Sequence, residues 1–385
     1  MRRPAEELRK LEAEGLLRGL RPLDSPAGPR VVREGRELWN FASNDYLGLA
    51  ANPEIADALI EGVGKYGAGS AASRLVCGTL PPHRLFEEAL AEAKQSEAAL
   101  LFSSGFATSL GVIPAVVGAG DYVVLDKLCH ACLVDASRLS GANLRVFPHN
   151  DVAKLKSLLE KIRAKDAHGR ILVVTESVFS MDGDLAPLRK ICDAAEEHGA
   201  LLMVDEAHGF GVLGEHGMGL AEREGLQSRV TFQMGTLSKA AGLSGGYLAA
   251  SREWIDLLVN RARSFIYSTA PIPSLAHAAL ASLRIIRSDE GATLRARMRK
   301  NIRSVSASSD TPILPVLLGS NEAAIGASAS LLEAGFLVPA IRFPTVPRGT
   351  ARLRVSVSAA HPPEAVTALA EVLGSLKEIE VGETT

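Results

Sequence analysis

The chain has 385 residues, 47% of them hydrophobic and 22% charged, a globular composition long enough for about two or three domains and a large core. A formal net charge of −2 excludes a global field that would gather nucleic acid or an anionic membrane, so any anion must be held locally. Apolar runs such as 171–174 and 201–204 fall far short of the roughly 20 residues of a membrane-spanning helix, which predicts a soluble protein.

Residues 1–20 carry Glu6, Glu7, Glu12 and Glu14 among arginines and have no apolar stretch followed by small cleavage residues, so they read as an amphipathic structural helix. From about residue 97, short apolar runs alternate with longer amphipathic stretches. Strands are predicted at 98–102, 122–125, 144–147, 171–175, 201–205, 230–234 and 246–250, and helices near 105–117, 130–140, 151–163, 187–198 and 217–223. Such alternation, with nearly continuous apolar strands, predicts an α/β fold: a mostly parallel seven-stranded sheet between helices.

A long helical pattern over 273–286 is followed by the charged run 295–303, which reads as the way into a smaller α+β domain. That domain is expected to hold strands at 313–318, 337–341 and 351–358 and helices at 322–334 and 363–376. The division expected is therefore an N-terminal helix with short strands (1–45), a large α/β domain (46–285) and a small C-terminal domain (286–385).

Four cysteines, at 77, 129, 132 and 192, are too few for a disulfide framework and fit a reducing cytoplasm. Cys129 and Cys132 have the spacing of half a metal site, but Cys77 and Cys192 have no cysteine near them in sequence, so no metal is expected. A redox pair opening a helix after a strand is the alternative that this spacing allows.

In open sheets of this kind ligands bind beyond the carboxyl ends of the strands, which directs attention to Glu176, Ser180, Asp205, His208 and Lys239. Asp205 ends one apolar run and His208 follows three residues later. A buried carboxylate there would keep the nitrogen of a pyridine ring protonated, and His208 would bond the ring's phenolic oxygen. Lys239 follows Thr236 in a turn of small and hydroxyl residues directly after another strand. A lysine there would form a Schiff base, with Thr236 on a phosphate. Phe102-Ser103-Ser104-Gly105-Phe106 leads from a strand into a helix whose free N–H groups suit that phosphate. His130 opens a further helix. Taken singly, a strand-end aspartate, a solvated turn lysine, a serine cap and a capping histidine are ordinary; the combination points to pyridoxal 5′-phosphate.

These segments, together with Ser43-Asn44-Asp45-Tyr46-Leu47-Gly48-Leu49, Val178-Phe179-Ser180-Met181-Asp182-Gly183-Asp184 and Ile266-Tyr267-Ser268-Thr269, resemble those of the α-oxoamine synthases over nearly the whole chain. The family consists of pyridoxal-phosphate enzymes of fold type I, built like aspartate aminotransferase. The resemblance implies that Lys239 bears the cofactor and that Gly105, Phe106, Ser180, Asp205, His208 and Thr236 contact it. It further implies that His130 stacks over the ring and that Thr269 reaches the phosphate from the partner subunit of a homodimer. The run Ala340-Ile341-Arg342-Phe343-Pro344-Thr345 is similar to the branch that joins L-alanine to a pimeloyl thioester, on coenzyme A or acyl carrier protein. This similarity assigns Arg342 to the amino-acid carboxylate, Arg18 and Thr345 to the acyl donor, and Asn44 to the substrate site. Members using glycine or serine remain the alternative, and a non-catalytic binding module is a further one. Cys129 and Cys132 stand where relatives often carry serine, and alanines interrupt the glycine-rich 67–74 stretch.

Overall fold

The computed structural model describes residues 3–382, with side-chain surroundings up to residue 375. The chain forms two compact units. One contains Leu47–Ser180 and Asp184–Ala296; the other contains the residues up to Tyr46, Met181–Gly183, and Arg297 onward.

The larger unit is built on a seven-stranded sheet. Its order is Ala98–Phe102, Gly246–Ala250, Phe232–Thr236, Leu201–Asp205, Ile171–Glu176, Tyr122–Asp126, Asn143–Phe147. Gly246–Ala250 runs antiparallel to both neighbours, and the other pairings are parallel. The parallel strands read as continuous apolar runs because both faces are covered: Val123, Val173, Val174, Met203 and Phe232 are all buried. Each fully buried side chain of this kind contributes about 1.5–3 kcal/mol.

Helices follow the strands at Gly105–Val116, Ala131–Leu139, Val152–Lys165, Leu188–Glu197 and Leu220–Arg223, close to the predicted positions. Local chemistry sets their starts. The Ser104 hydroxyl accepts the N–H of Ala107 at 3.0 Å, and Asp151 accepts that of Lys154 at 2.9 Å. The helices Pro53–Tyr66 and Pro81–Ala93 precede the sheet and were not resolved by the alternation pattern.

Two strand expectations are corrected. The strand predicted at 230–234 lies at Phe232–Thr236, because Gln227–Arg229 forms a 3₁₀ turn and Thr231 turns its hydroxyl to the N–H of Leu202. Thr236, not Met234, therefore ends the strand. The single strand predicted at 337–341 is two. Phe336–Leu337 runs parallel to Trp39–Asn40, whereas Ala340–Ile341 runs antiparallel to Arg352–Leu353 in another sheet. Pro339, which has no N–H to donate, lies between them.

Within the smaller unit, Arg30–Arg33 and Arg36–Asn40 form a hairpin, and Ile313–Gly319, Ala351–Ser356 and Ala340–Ile341 form the second sheet. Asn321–Glu333 and Pro363–Gly382 are its long C-terminal helices. The N-terminal helix covers Pro4–Ala13, shorter than the expected 1–20, and buries none of its residues; Met1 and Arg2 lie outside the described residues. Among the described residues no helix is long and apolar enough to cross a membrane.

Candidate active site

Parallel pairing aligns the carboxyl ends of neighbouring strands, and in the larger unit these ends carry Asp126, Glu176, Asp205 and Thr236. Lys239 stands in the turn after Thr236. Its main chain is held by Gly242 N–H to Lys239 O at 2.9 Å and Leu243 N–H to Leu237 O at 2.9 Å. Gly242 has φ 70°, and a Cβ there would collide with the Leu49–Ala50 backbone, so this turn needs glycine. The Nζ of Lys239 lies 2.9 Å from Nε2 of the buried His208.

Asp205 is buried, and its Oδ1 accepts the N–H of Ala207 at 2.9 Å. Burial raises its pKa against the lowering pull of Lys239 and the Ala207 bond. Directly across the strand pair stands Glu176, in register with Asp205. Burial, and then the Asp205 charge, push the Glu176 carboxyl up to about 8. Glu176 Oε1 accepts the backbone N–H of His130 at 2.5 Å. Sequence reasoning marked Glu176 as a strand-end residue but gave it no task; its pairing with Asp205 and His130 depends on register.

His130 caps the helix Ala131–Leu139, its Nδ1 accepting the Cys132 N–H at 3.3 Å. Loss of water around the ring lowers its pKa; Asp205 opposes this and Lys239 adds to it. The ring is therefore neutral near pH 7, within electrostatic reach of both residues. Cys129 and Cys132 are buried. Burial drives both thiols up, Cys132 to about 12, which removes the thiolate that redox chemistry requires.

The third element is the helix start at Gly105. A Cβ on Gly105 would stand 3.5 Å from Thr236 Cβ, so this turn adjoins the end of the Lys239 strand. A Cβ on Gly246 would lie 2.5 Å from Gly105 N, and glycine there lets the strand pass against the helix start. The Thr236 hydroxyl sits 2.7 Å from both Gly245 O and Ser238 Oγ. Phe106 is exposed, and Ser180 follows Phe179 at the edge of the unit. The Thr269 backbone bridges to Ser73, and Ala270 N–H bonds Ala72 O at 3.0 Å.

These features fit pyridoxal phosphate. The lysine, with the histidine as its hydrogen-bonding partner, is suited to a covalent anchor, and the buried aspartate is suited to a protonated ring nitrogen. The helix start beside Thr236 is suited to a phosphate.

In the smaller unit, a groove of about 780 Å³ is lined by Arg18, Arg342 and Thr345, with Leu332, Leu337 and Ile341 among its apolar walls. Arg18 donates to Thr345 Oγ1 at 3.3 Å and Arg342 to Leu17 O at 3.2 Å, so two segments more than 300 residues apart in sequence meet at one surface. Asn44 stands apart from those contacts. Its Oδ1 accepts from Tyr46 Oη and from Arg354 Nη1, each at 3.1 Å.

A sheet with one antiparallel strand, a lysine past a strand end and a buried strand-end aspartate define a pyridoxal-phosphate-dependent enzyme of fold type I, and the sequence pattern described as aminotransferase class I and II matches residues 36–373. Two similar proteins are named 8-amino-7-oxononanoate synthase. That of Geobacter sulfurreducens is 48% identical over 93% of both chains; that of Anaeromyxobacter sp. strain K is 48% identical over 97% of this chain and 96% of its own. The chain belongs to the aminotransferase class I and II family and, within it, to the 8-amino-7-oxononanoate synthases.

Solved structures agree. A serine palmitoyltransferase from S. paucimobilis with a bound pyridoxal phosphate–myriocin aldimine superposes with a TM-score of 0.91 at 29% identity, covering 97% of this chain and 96% of that one. An 8-amino-7-oxononanoate synthase from Francisella tularensis gives 0.75 at 27% identity, covering 90% and 98%.

Proposed function

We propose that the chain condenses L-alanine with a pimeloyl thioester, releasing carbon dioxide and the thiol carrier, to form 8-amino-7-oxononanoate for biotin biosynthesis. The observation that carries this reading is Lys239 Nζ 2.9 Å from His208 Nε2 beside buried Asp205, in a chain 48% identical to synthases of that name.

Bound pyridoxal phosphate supplies an electron sink for negative charge at the amino acid's Cα. Lys239 would hold the cofactor covalently, and its Nζ would serve as the base for the Cα proton of alanine. His208 orients that amine and bonds the phenolic oxygen, while Asp205 keeps a proton on the ring nitrogen. Thr236, the N–H groups of Gly105 and Phe106, and Ser180 would hold the cofactor in place, with His130 against its ring. The Nδ1 of His130 is engaged with Cys132, which leaves Nε2–H to donate to the acyl carbonyl as the new carbon–carbon bond forms. Arg342 receives the alanine carboxylate, with Asn44 beside the substrate. Arg18 and Thr345 line the acyl site, where Arg21 and Arg33 share the groove and suit the anionic groups of either coenzyme A or acyl carrier protein. Loss of carbon dioxide from the β-keto acid and return of the proton complete the reaction.

The assembly proposed is a cytoplasmic homodimer, with Thr269 reaching the partner's phosphate. Its support is the exposure of Leu75, Val76 and Tyr267 near the Ser73–Thr269 bridge, an apolar surface suited to a second copy, and four cysteines that are all free.

The test is release of free thiol with alanine, glycine or serine against pimeloyl-, acetyl-, succinyl- and palmitoyl-CoA, with Lys239→Ala as control. Turnover is expected with alanine and the pimeloyl thioester. No turnover with that pair overturns the reading, and preference for serine with palmitoyl-CoA would place the chain with the transferase it superposes on.

A further inference from the structure

One cluster in the larger unit has no part in the chemistry above. Beyond the strand Asn143–Phe147 the chain brings His149 between two carboxylates. Its Nδ1 lies 3.1 Å from Asp126 Oδ1 and its Nε2 2.7 Å from Asp184 Oδ2. Asn150 Nδ2 also lies 3.2 Å from Nε2, but it bonds Asp184 Oδ2 at the shorter 2.9 Å, and an acceptor carboxylate facing each ring nitrogen favours an imidazolium that donates from both.

Each carboxylate is tied to a segment of the cofactor site. Asp126 is buried at its strand end. Its Oδ1 also accepts Leu128 N–H at 2.8 Å and its Oδ2 accepts Asn150 N–H at 2.9 Å, so it organises the turn that runs to His130. Asp184 accepts Asn150 Nδ2 at 2.9 Å. Its carbonyl takes the Phe179 N–H at 3.0 Å, which closes the base of the loop that begins at Ser180. The His149 ring also stands edge-on to Phe179, with centroids 4.3 Å apart and planes at 85°.

We infer that His149 is a positioning residue for the cofactor site: clamped between Asp126 and Asp184, it fixes the turn carrying His130 to the loop beginning at Ser180. This rests on the reading of His130 and Ser180 as cofactor contacts. Burial alone would lower the pKa of the ring, but the bonds to the two aspartates outweigh it and push it up to about 10, so the clamp stays charged at neutral pH. The arrangement also has costs that stability alone would not favour. Asn150 holds a left-handed φ of 56°, and Asn150 Oδ1 and Asp184 Oδ1 are buried with no hydrogen-bond partner among the described residues.

The experiment uses full-length His149→Gln, Asp184→Asn and the double variant, each titrated with pyridoxal phosphate. Apparent cofactor affinity, the visible circular dichroism of bound cofactor at saturation, and kcat and KM for alanine are followed. Each single variant is expected to weaken cofactor affinity and lower kcat by roughly tenfold, the scale of residues that orient a site from behind it. The dichroism band should shrink, KM for alanine should hold within about twofold, and the double variant should be no worse than the worse single one.

Wild-type affinity, band and kcat in His149→Gln overturn the inference, as does a drop in melting temperature with those three unchanged, or additive losses in the double variant. Asp184→Asn, altered at the more exposed end of the clamp, decides the matter if His149→Gln does not fold. His130→Ala and Ser180→Ala separate the two levels. If these leave the band and affinity unchanged, the reading of the site fails; if they alter them while the His149 and Asp184 variants do not, only the clamp fails.

Discussion

Glu176 and Asp205 are direct neighbours across a parallel strand pair, two buried carboxylates at the same end of the sheet, each with its pKa raised by burial. Two such groups cannot both carry charge without a cation between or beside them, and Lys239 is the nearby cation that lowers both. Asp205 facing a protonated ring nitrogen would stay ionised, while Glu176 keeps its proton and holds the His130 turn.

This sets a sign for stability in the cofactor-free protein. The folded pKa of Glu176, about 8, lies above its ordinary value of 4.5, so the folded state holds the proton more tightly. The corresponding stability is fully present below about pH 4.5 and is lost as pH rises towards 8. Chemical denaturation across that window should show wild-type stability declining relative to Glu176→Gln, whose side chain cannot ionise. Parallel pH profiles for the two proteins would show that Glu176 does not titrate there.

Lys239→Ala should abolish the yellow absorbance of lysine-bound cofactor and lower kcat/KM by at least about a thousandfold, since anchor and base are lost together. Asp205→Asn should still take up cofactor but lower kcat by about a hundredfold or more, because the electron sink is no longer held protonated. Absorbance scans with the thiol-release assay measure both; undiminished turnover in Asp205→Asn would remove that residue from the mechanism.

Gly246→Ala places a methyl group 2.5 Å from Gly105 N and must push the helix start away from the strand. The expected cost is about 1–3 kcal/mol of stability. Because the displaced N–H groups face the proposed phosphate site, cofactor affinity should fall as well, read by fluorescence titration. A destabilised variant with unaltered affinity would place the phosphate elsewhere.

The arginines of the smaller unit should separate kinetically. Arg342→Ala is expected to raise KM for alanine by about tenfold or more while sparing the acyl thioester, and Arg18→Ala to do the reverse, since each removes one charged hydrogen-bond partner. Initial-rate measurements varying one substrate at a time check this, and equal effects of both variants on both substrates would refute the division.

Much of the sheet was legible because parallel strands buried on both faces must be continuous apolar runs, and a polar residue ending such a run lies where ligands bind. Glu176, Asp205 and Lys239 stood out for that reason, whereas the strand before Lys239 was expected to end at Met234 and runs on to Thr236. The break at Pro339 carried a local signal, a missing N–H, yet that the two halves join different sheets depends on partners at Trp39 and Leu353. The helices at Pro53–Tyr66 and Pro81–Ala93 were hidden because they precede the alternation that identified the rest.

What the sequence by itself determined is the chemistry on offer: a lysine, an aspartate, a histidine and a glycine-led helix start, each placed by local pattern at a strand end. Only the tertiary structure decided which of these groups act on one another. Register sets Glu176 against Asp205, parallel pairing of neighbouring strands brings His208 to Lys239, and Asp126, His149 and Asp184, spread over almost sixty residues, converge into one clamp. The physical reason is that periodicity reports the face a residue presents to its own strand or helix, whereas hydrogen bonds and charge pairs between elements depend on how those elements are aligned in space.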